Sequence, residues 1–358
     1  MVSGRRWLTY TPWQGELNNT RICFETALIF AYLSRRTLVL PAEYRREHEP
    51  EESGGRFRPL HPAECYTIET LNGVVEIVSN EEHKRRSAAD GPGDRVDLRI
   101  PPNTTVFCYP RIPPPDSPER ARLRDFAAGR ERLFEFTPEM EDCGTLHLSG
   151  GVLDLFYCFF FTEGELDSVC KQLVRQCVRF REPIVRTAAR IAESLGDYSA
   201  LHVRRNDFFE LYPDQNISCS RLLGNVMMRL PTGTRLYVAT DETDHNFFAD
   251  LAGYYDIYFL SDFRRSLDEE LSPEALACVE QMVCASASTF IGTRLSTFSA
   301  YITRLRGYTG APDLEIHFTD GPPGSEIDNE GSPPFSWMNW VRSGYPLWGR
   351  EFREGWEF

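Results

Sequence analysis

Apolar and polar positions follow two rhythms along this chain, one of period two and one near 3.6, and the changes between them mark its elements. Leu8 to Pro12 reads as a strand, Trp13 to Asn19 as a glycine-containing turn, Arg21 to Ser34 as an apolar helix and Thr37 to Pro41 as a second strand. This is a βαβ opening. From Glu163 to Leu195 the spacing is helical, with Pro183 starting a second helix over 182–195 that Gly196 ends. A strand is predicted at Ser199 to Val203, a helix at Ser220 to Arg229, strands at Arg235 to Thr240 and Tyr255 to Leu260, and a helix at Pro273 to Ala287. A short strand at Thr289 to Gly292 and a helix at Thr297 to Leu305 complete the pattern.

Strand and helix thus alternate in both halves, which predicts an α/β protein of two doubly wound, Rossmann-like domains facing across a cleft. The boundary is expected near Gly196, giving domains 1–195 and 196–358. Between Ala42 and about Thr145 the alternation is lost: Arg/Glu runs, Gly54-Gly55 and proline-rich stretches near 101 and 113 indicate long loops or an insertion over 42–162. The last forty residues, rich in Gly, Pro and aromatics that include Trp337, Trp340, Trp348 and Trp356, are expected to pack back as a tail of the second domain.

Charge narrows the partners. With 39 Lys and Arg against 53 Asp and Glu the formal charge is -14, which repels nucleic acid and anionic lipid as a whole. An anionic ligand therefore needs a local cationic pocket. No apolar run approaches the length of a membrane span, and no signal-peptide core precedes Trp7. The chain is expected in the cytoplasm if its N-terminus is native and in the secretory lumen if a leader was removed. The cysteines form no Cys-X-X-Cys pair, which argues against ribbon-type zinc sites, and Cys170 and Cys177 share one helix face as buried thiols. His147, His245 and His317 show no metal-ligand spacing.

The stretch with most chemistry is Ala200 to Phe209, where an apolar strand runs into Arg204-Arg205 and a carboxylate, Asp207. A strand end holds a planar guanidinium where it can grip phosphate oxygens in the crevice beyond. By itself such a turn reads first as a solvated or structural one. Ser296-Thr297-Phe298 precedes a helix, so its hydroxyls and free N–H groups form either an ordinary cap or an anion cradle. Asp241-Glu242-Thr243-Asp244 has the look of an Asp-X-Asp metal site, yet it ends a strand of the second domain and reads better as holding a ribose or a neighbouring loop.

Four stretches in order resemble the GDP-fucose protein O-fucosyltransferase family. They are Gly15-Glu16-Leu17-Asn18-Asn19-Thr20-Arg21 with Arg36 to Pro41, His202-Val203-Arg204-Arg205-Asn206-Asp207-Phe208, Leu236 to Asp241, and Glu280-Gln281 through Phe290-Ile291-Gly292-Thr293-Arg294-Leu295-Ser296-Thr297-Phe298-Ser299. The last is most similar to the type that modifies thrombospondin repeats, and the second is shared with α1,6-fucosyltransferases. The resemblance implies a GT-B fold and an inverting, metal-independent transfer of L-fucose from GDP-fucose to a hydroxyl, first of all a protein Ser or Thr.

It further implies Arg204 and Glu16 as catalytic residues, Arg204 at the β-phosphate and Glu16 as base. Asn18, Asn19, His202, Arg204, Asp241, Glu280, Ser296, Thr297 and Phe298 are the implied nucleotide-sugar contacts, with Glu280 accepting from the guanine edge in place of the family's aspartate. No cofactor and no metal are expected, and the partners are GDP-fucose and a hydroxyl-bearing acceptor, with the chain a monomer. Transfer to a glycan, use of rhamnose, and a non-catalytic nucleotide-sugar-binding or glycan-binding protein remain the alternatives.

Overall fold

The computed structural model describes residues 5–12, 17–42, 62–68, 74–90, 93–100, 105–127, 132–150, 159–206, 208–211, 216–267, 271–293, 296–310 and 316–318. The chain divides into two compact units, the first reaching Arg181 and the second starting at Glu182.

The first unit is built on a five-stranded sheet. Its strands are β1 (Trp7–Tyr10) and β2 (Thr37–Val39), followed after a two-residue β3 (Tyr66–Thr67) by β4 (Ile77–Val78) and β5 (Arg95–Ile100). Next come β6 (Thr105–Tyr109), β7 (Arg132–Phe134), β8 (Thr145–Gly150), β9 (Phe159–Phe161) and β10 (Arg179–Phe180). The main sheet has the order β4-β2-β1-β8-β5, with every pairing parallel. The span expected as an insertion therefore supplies β4, β5 and β8 to the main sheet. Its strands escaped the hydrophobic pattern because they are short or, like Arg95–Ile100, carry charges at alternate positions.

A second, three-stranded parallel sheet, β7-β6-β9, comes from the same span. It is fixed by aromatic packing: Phe30 of the helix Leu17–Ser34 lies 4.7 Å from Phe107 and 5.3 Å from Phe159, ring centre to ring centre. That helix is buried along nearly its whole length, which is why it reads as apolar without a polar face. It starts at Leu17, earlier than the predicted Arg21, so Asn18 and Asn19 lie in its first turn and not in a loop. Buried Arg21 stabilises this extra turn, its Nε donating to Asn18 Oδ1 at 3.3 Å and its Nη1 to Glu25 Oε1 at 2.8 Å.

The second unit carries β11 (Ser199–Val203), β12 (Arg235–Thr240), β13 (Asp256–Tyr258), β14 (Thr289–Thr293) and β15 (Ile316–Phe318). They form one parallel sheet in the order β13-β12-β11-β14-β15. The helix Glu182–Leu195 belongs here, so the division falls at its start and not at Gly196. It buries Ile184, Ala188, Ile191 and Leu195 on one stripe and packs on the helix Pro273–Ser286. On the core side of β11 and β12, Leu201, Val203, Leu236 and Val238 meet Leu222 and Val226 of the helix Cys219–Met227.

Cys170 and Cys177 are buried, and neither is in a disulfide. Among the described residues no helix is long and apolar enough to cross a membrane. Residues after Phe318, and with them the expected tail, lie outside the described residues.

Candidate active site

The strand order of the second sheet places its functional end. From β11 the chain moves outward through β12 and β13, then crosses to the other side of β11 and continues as β14 and β15. The connections leaving β11 and β14 run to opposite faces, and an open parallel sheet takes its ligand in the crevice at the carboxyl ends of such a pair. Here those ends are Val203 and Thr293.

β11 and β14 stop pairing after Leu201 and Ile291. Beyond that point side chains take over from the backbone ladder. The Thr293 hydroxyl donates to the His202 carbonyl at 2.8 Å and accepts the Arg204 N–H at 3.0 Å. From the other side the Thr240 hydroxyl donates to the Val203 carbonyl at 2.7 Å. The backbone that delivers Arg204 is thus pinned between its two neighbouring strands.

The two arginines then separate. Arg204 pairs through Nη1 with Asp241 Oδ2, and Asp241 Oδ1 accepts the Arg205 N–H at 2.7 Å. Asn206 takes a left-handed φ of 42°, which its short amide side chain tolerates, and donates Nδ2 to the Asp241 carbonyl at 2.6 Å. Arg205 donates Nε to Glu242 Oε2 at 2.9 Å, with its guanidinium 3.6 Å over the Phe247 ring. It secures the turn, as a strand-end arginine paired with a carboxylate does. Asp207 lies outside the described residues.

At the end of β14 the helix Thr297–Thr309 begins. Its N-cap is Ser296, buried and making no capping hydrogen bond. Elsewhere in this unit Ser218 and Ser272 cap in the ordinary way, accepting from N–H groups at 3.3 and 3.2 Å. The first turn of the helix after Ser296 therefore keeps its N–H groups and dipole for an anion. His202 lies beside it, buried, its ring stacked on Phe298 with centres 4.5 Å apart and its Nδ1 2.7 Å from Ser299 Oγ. Burial first, and the Arg204 cation second, push the imidazole down to about 3. The ring is neutral at any physiological pH.

The structure thus brings His202, Arg204, Asp241, Ser296, Thr297 and Phe298 to one end of one sheet. Glu280 is placed differently. It sits midway along the helix Pro273–Ser286, where its Oε1 accepts from the Tyr237 hydroxyl at 3.3 Å. Burial raises this carboxyl to about 8. Tyr237 is in mid-strand, and Phe263 stands 6.3 Å from its ring. In the first unit Asn18 is buried and engaged by Arg21, whereas Asn19 has a buried Oδ1 with no hydrogen-bond partner among the described residues. Glu16 lies outside the described residues.

Two residues of the crevice, Thr293 and Ser299, went unassigned in the sequence. Both stand inside the stretch Phe290 to Ser299, and Ser299 falls at the third helical position, where a hydroxyl can reach the preceding strand.

The sequence profile of GDP-fucose protein O-fucosyltransferase matches residues 7–309. The chain belongs to that family. Its chemistry is GDP-fucose-dependent fucosyl transfer, and the match spans the segment 42–162 that the hydrophobic pattern left unplaced. A crystal structure of POFUT1 in complex with GDP-fucose is similar with a TM-score of 0.52 and 15% identity, over 87% of this chain and 98% of that one. POFUT1 in complex with GDP gives 0.51 and 16%, over 88% and 98%. At this identity the likeness shows the fold, GT-B with two Rossmann-like units. No curated protein matches the chain in sequence.

Proposed function

We propose that this O-fucosyltransferase family member transfers L-fucose from GDP-fucose to a protein Ser or Thr hydroxyl, with inversion and without a metal. The observation that carries the reading is the pairing of a pinned arginine, Arg204, with an uncapped helix N-terminus at Ser296, both at the β11/β14 switch point. Together they offer a diphosphate a planar cation and a row of N–H donors.

In the reaction the bond between the fucose anomeric carbon and the β-phosphate oxygen breaks, and its electron pair goes to the phosphate. Arg204 and the first turn of Thr297–Thr309 stabilise that developing charge. The acceptor oxygen bonds to the anomeric carbon from the opposite face, and its proton passes to a carboxylate, for which Glu16 is the assigned residue. Asn19, with its unsatisfied Oδ1, suits a sugar hydroxyl, since a buried amide oxygen left unpaired costs about 1–3 kcal/mol.

The carboxylates after β12 are committed within the protein, which supports the metal-free reading. Asp241 holds Arg204 and the Arg205 N–H, Glu242 accepts from Arg205 and from the Asp244 N–H, and Asp244 caps Asn246. Asp241 therefore reads as holding its neighbouring turn. Glu280 is assigned to the guanine edge, with the Tyr237 hydroxyl donating to it and Phe263 beside the Tyr237 ring. Guanine presents two donors, so Glu280 must ionise to accept both.

Calorimetry with GDP, GDP-fucose, UDP and ADP tests the donor: GDP and GDP-fucose are expected to bind and the others not. Absence of GDP binding overturns the reading. Arg204→Ala should abolish transfer with the fold intact by circular dichroism, and normal turnover by that variant removes Arg204 from the mechanism. Acceptor peptides screened against GDP-fucose test the Ser/Thr assignment, which labelling of glycans alone would overturn.

A further inference from the structure

The buried hydroxyl of Ser299 faces Nδ1 of the buried His202 ring. Ser299 Oγ lies 2.8 Å from the Thr293 backbone nitrogen and 2.7 Å from His202 Nδ1. A backbone N–H can only donate, so Thr293 occupies one lone pair of the Ser299 oxygen. The hydroxyl keeps its proton to give and one further lone pair. Among the described residues, His202 Nδ1 is the side-chain partner left to receive that proton. A neutral imidazole that accepts at Nδ1 holds its own proton on Nε2.

Three features keep this arrangement rigid. Burial and the nearby Arg204 hold the ring neutral, so a second proton on Nδ1 does not compete for the Ser299 contact. Phe298 stacks on the ring at 4.5 Å and fixes its plane. Gly292 lets the helix come close enough for the contact, since a Cβ there would lie 2.9 Å from both Cβ and Oγ of Ser299.

We infer that Ser299 is a positioning residue that fixes His202 as the Nε2–H tautomer, so that His202 offers a ligand oxygen one neutral hydrogen-bond donor and cannot serve as a base. The tautomer follows from the protein alone. Identifying the ligand oxygen as one of the GDP-sugar, in the diphosphate or the sugar, rests on the proposed function. With Nδ1 engaged and Nε2 protonated, the proton of the acceptor hydroxyl must go to another group.

Long-range proton–nitrogen spectra of the full chain, with His202 assigned by its loss in His202→Gln, test the inference without any ligand. A pyrrole-type Nε2 and a pyridine-type Nδ1, unchanged from about pH 5 to about pH 8, are expected. A proton on Nδ1, or titration within that range, overturns it. Ser299→Ala should convert the signal to a mixture of tautomers, and an unchanged spectrum in a folded Ser299→Ala protein removes Ser299 from the role. Should that variant not fold, the wild-type spectrum still decides the tautomer. For the donor role, His202→Gln keeps an N–H near the Nε2 position and should bind GDP within about threefold of wild type, while His202→Ala should lose about tenfold. Equal losses in the two variants overturn it. The expected spectrum in a protein that fails to bind GDP would count against the proposed function and leave the tautomer standing.

Discussion

The hydroxyl of Thr293 accepts the backbone N–H of Arg204 at 3.0 Å, across the gap where β11 and β14 have stopped pairing. The same hydroxyl donates to the His202 carbonyl, so one side chain spans the residue that leads into the cationic turn. Thr293→Val keeps the shape and strands both groups. A loss of about 1–3 kcal/mol in urea unfolding is expected, together with weaker GDP binding by calorimetry. A variant as stable as wild type would show that the bridge is dispensable.

Gly292 faces Ser299 so closely that a Cβ would meet its Cβ and Oγ at 2.9 Å, and the Phe290 ring at 3.2 Å. Gly292→Ala must push the helix Thr297–Thr309 away from β14. Overpacking of this kind costs about 1–3 kcal/mol, and here it also lengthens the Ser299 contacts. Thermal unfolding and GDP titration should both register the change, the second more strongly.

Glu280 gives the fold a pH dependence of definite sign. Its carboxyl titrates at about 8 in the folded chain against an ordinary 4.5, because burial disfavours the anion. Between those values the folded state holds a proton that the unfolded state has lost, so this contribution to stability is complete below about 4.5 and declines as pH rises to about 8. Glu280→Gln should flatten that decline in unfolding curves measured across the window. GDP affinity should rise with pH over the same range if ionised Glu280 meets guanine, and a flat profile counts against that assignment.

Glu25 is fully buried beside Arg21, whose guanidinium also holds Asn18. Removing the carboxylate breaks one half of a buried pair, which costs about 3–5 kcal/mol. Glu25→Ala is therefore expected to lower the urea midpoint well beyond an exposed substitution such as Glu81→Ala. Equal midpoints would show that Arg21 finds another partner.

Much of the second unit is legible in the sequence because its strands and helices are long, apolar and separated by Gly, Pro and Ser signals. β11, β12 and the helix Pro273–Ser286 need no tertiary information to be found. The first unit is less so. β4 and β5 are short or carry charge at alternate positions, and they become strands only through their parallel partners β2 and β8. The helix at Leu17 starts before its predicted point because the buried Arg21 guanidinium reaches back to Asn18, a contact the apolar pattern does not announce.

The sequence by itself determined the chemistry available to this protein: a strand ending in Arg204-Arg205, a Ser-Thr-Phe helix start, and motifs whose order marks the family. Local residue type and spacing suffice for that, since each motif lies within one strand-to-helix turn. Tertiary structure decided how the parts are used. The parallel pairing of β11 with β12 gives Arg204 to Asp241 and Arg205 to Glu242, the crossing of the chain from β13 to β14 brings Thr293 and Ser299 against His202, and the packing of the helix Pro273–Ser286 sets Glu280 against Tyr237. Those partners lie 37 to 97 residues apart in the chain, and hydrogen bonds reach no further than the fold brings them.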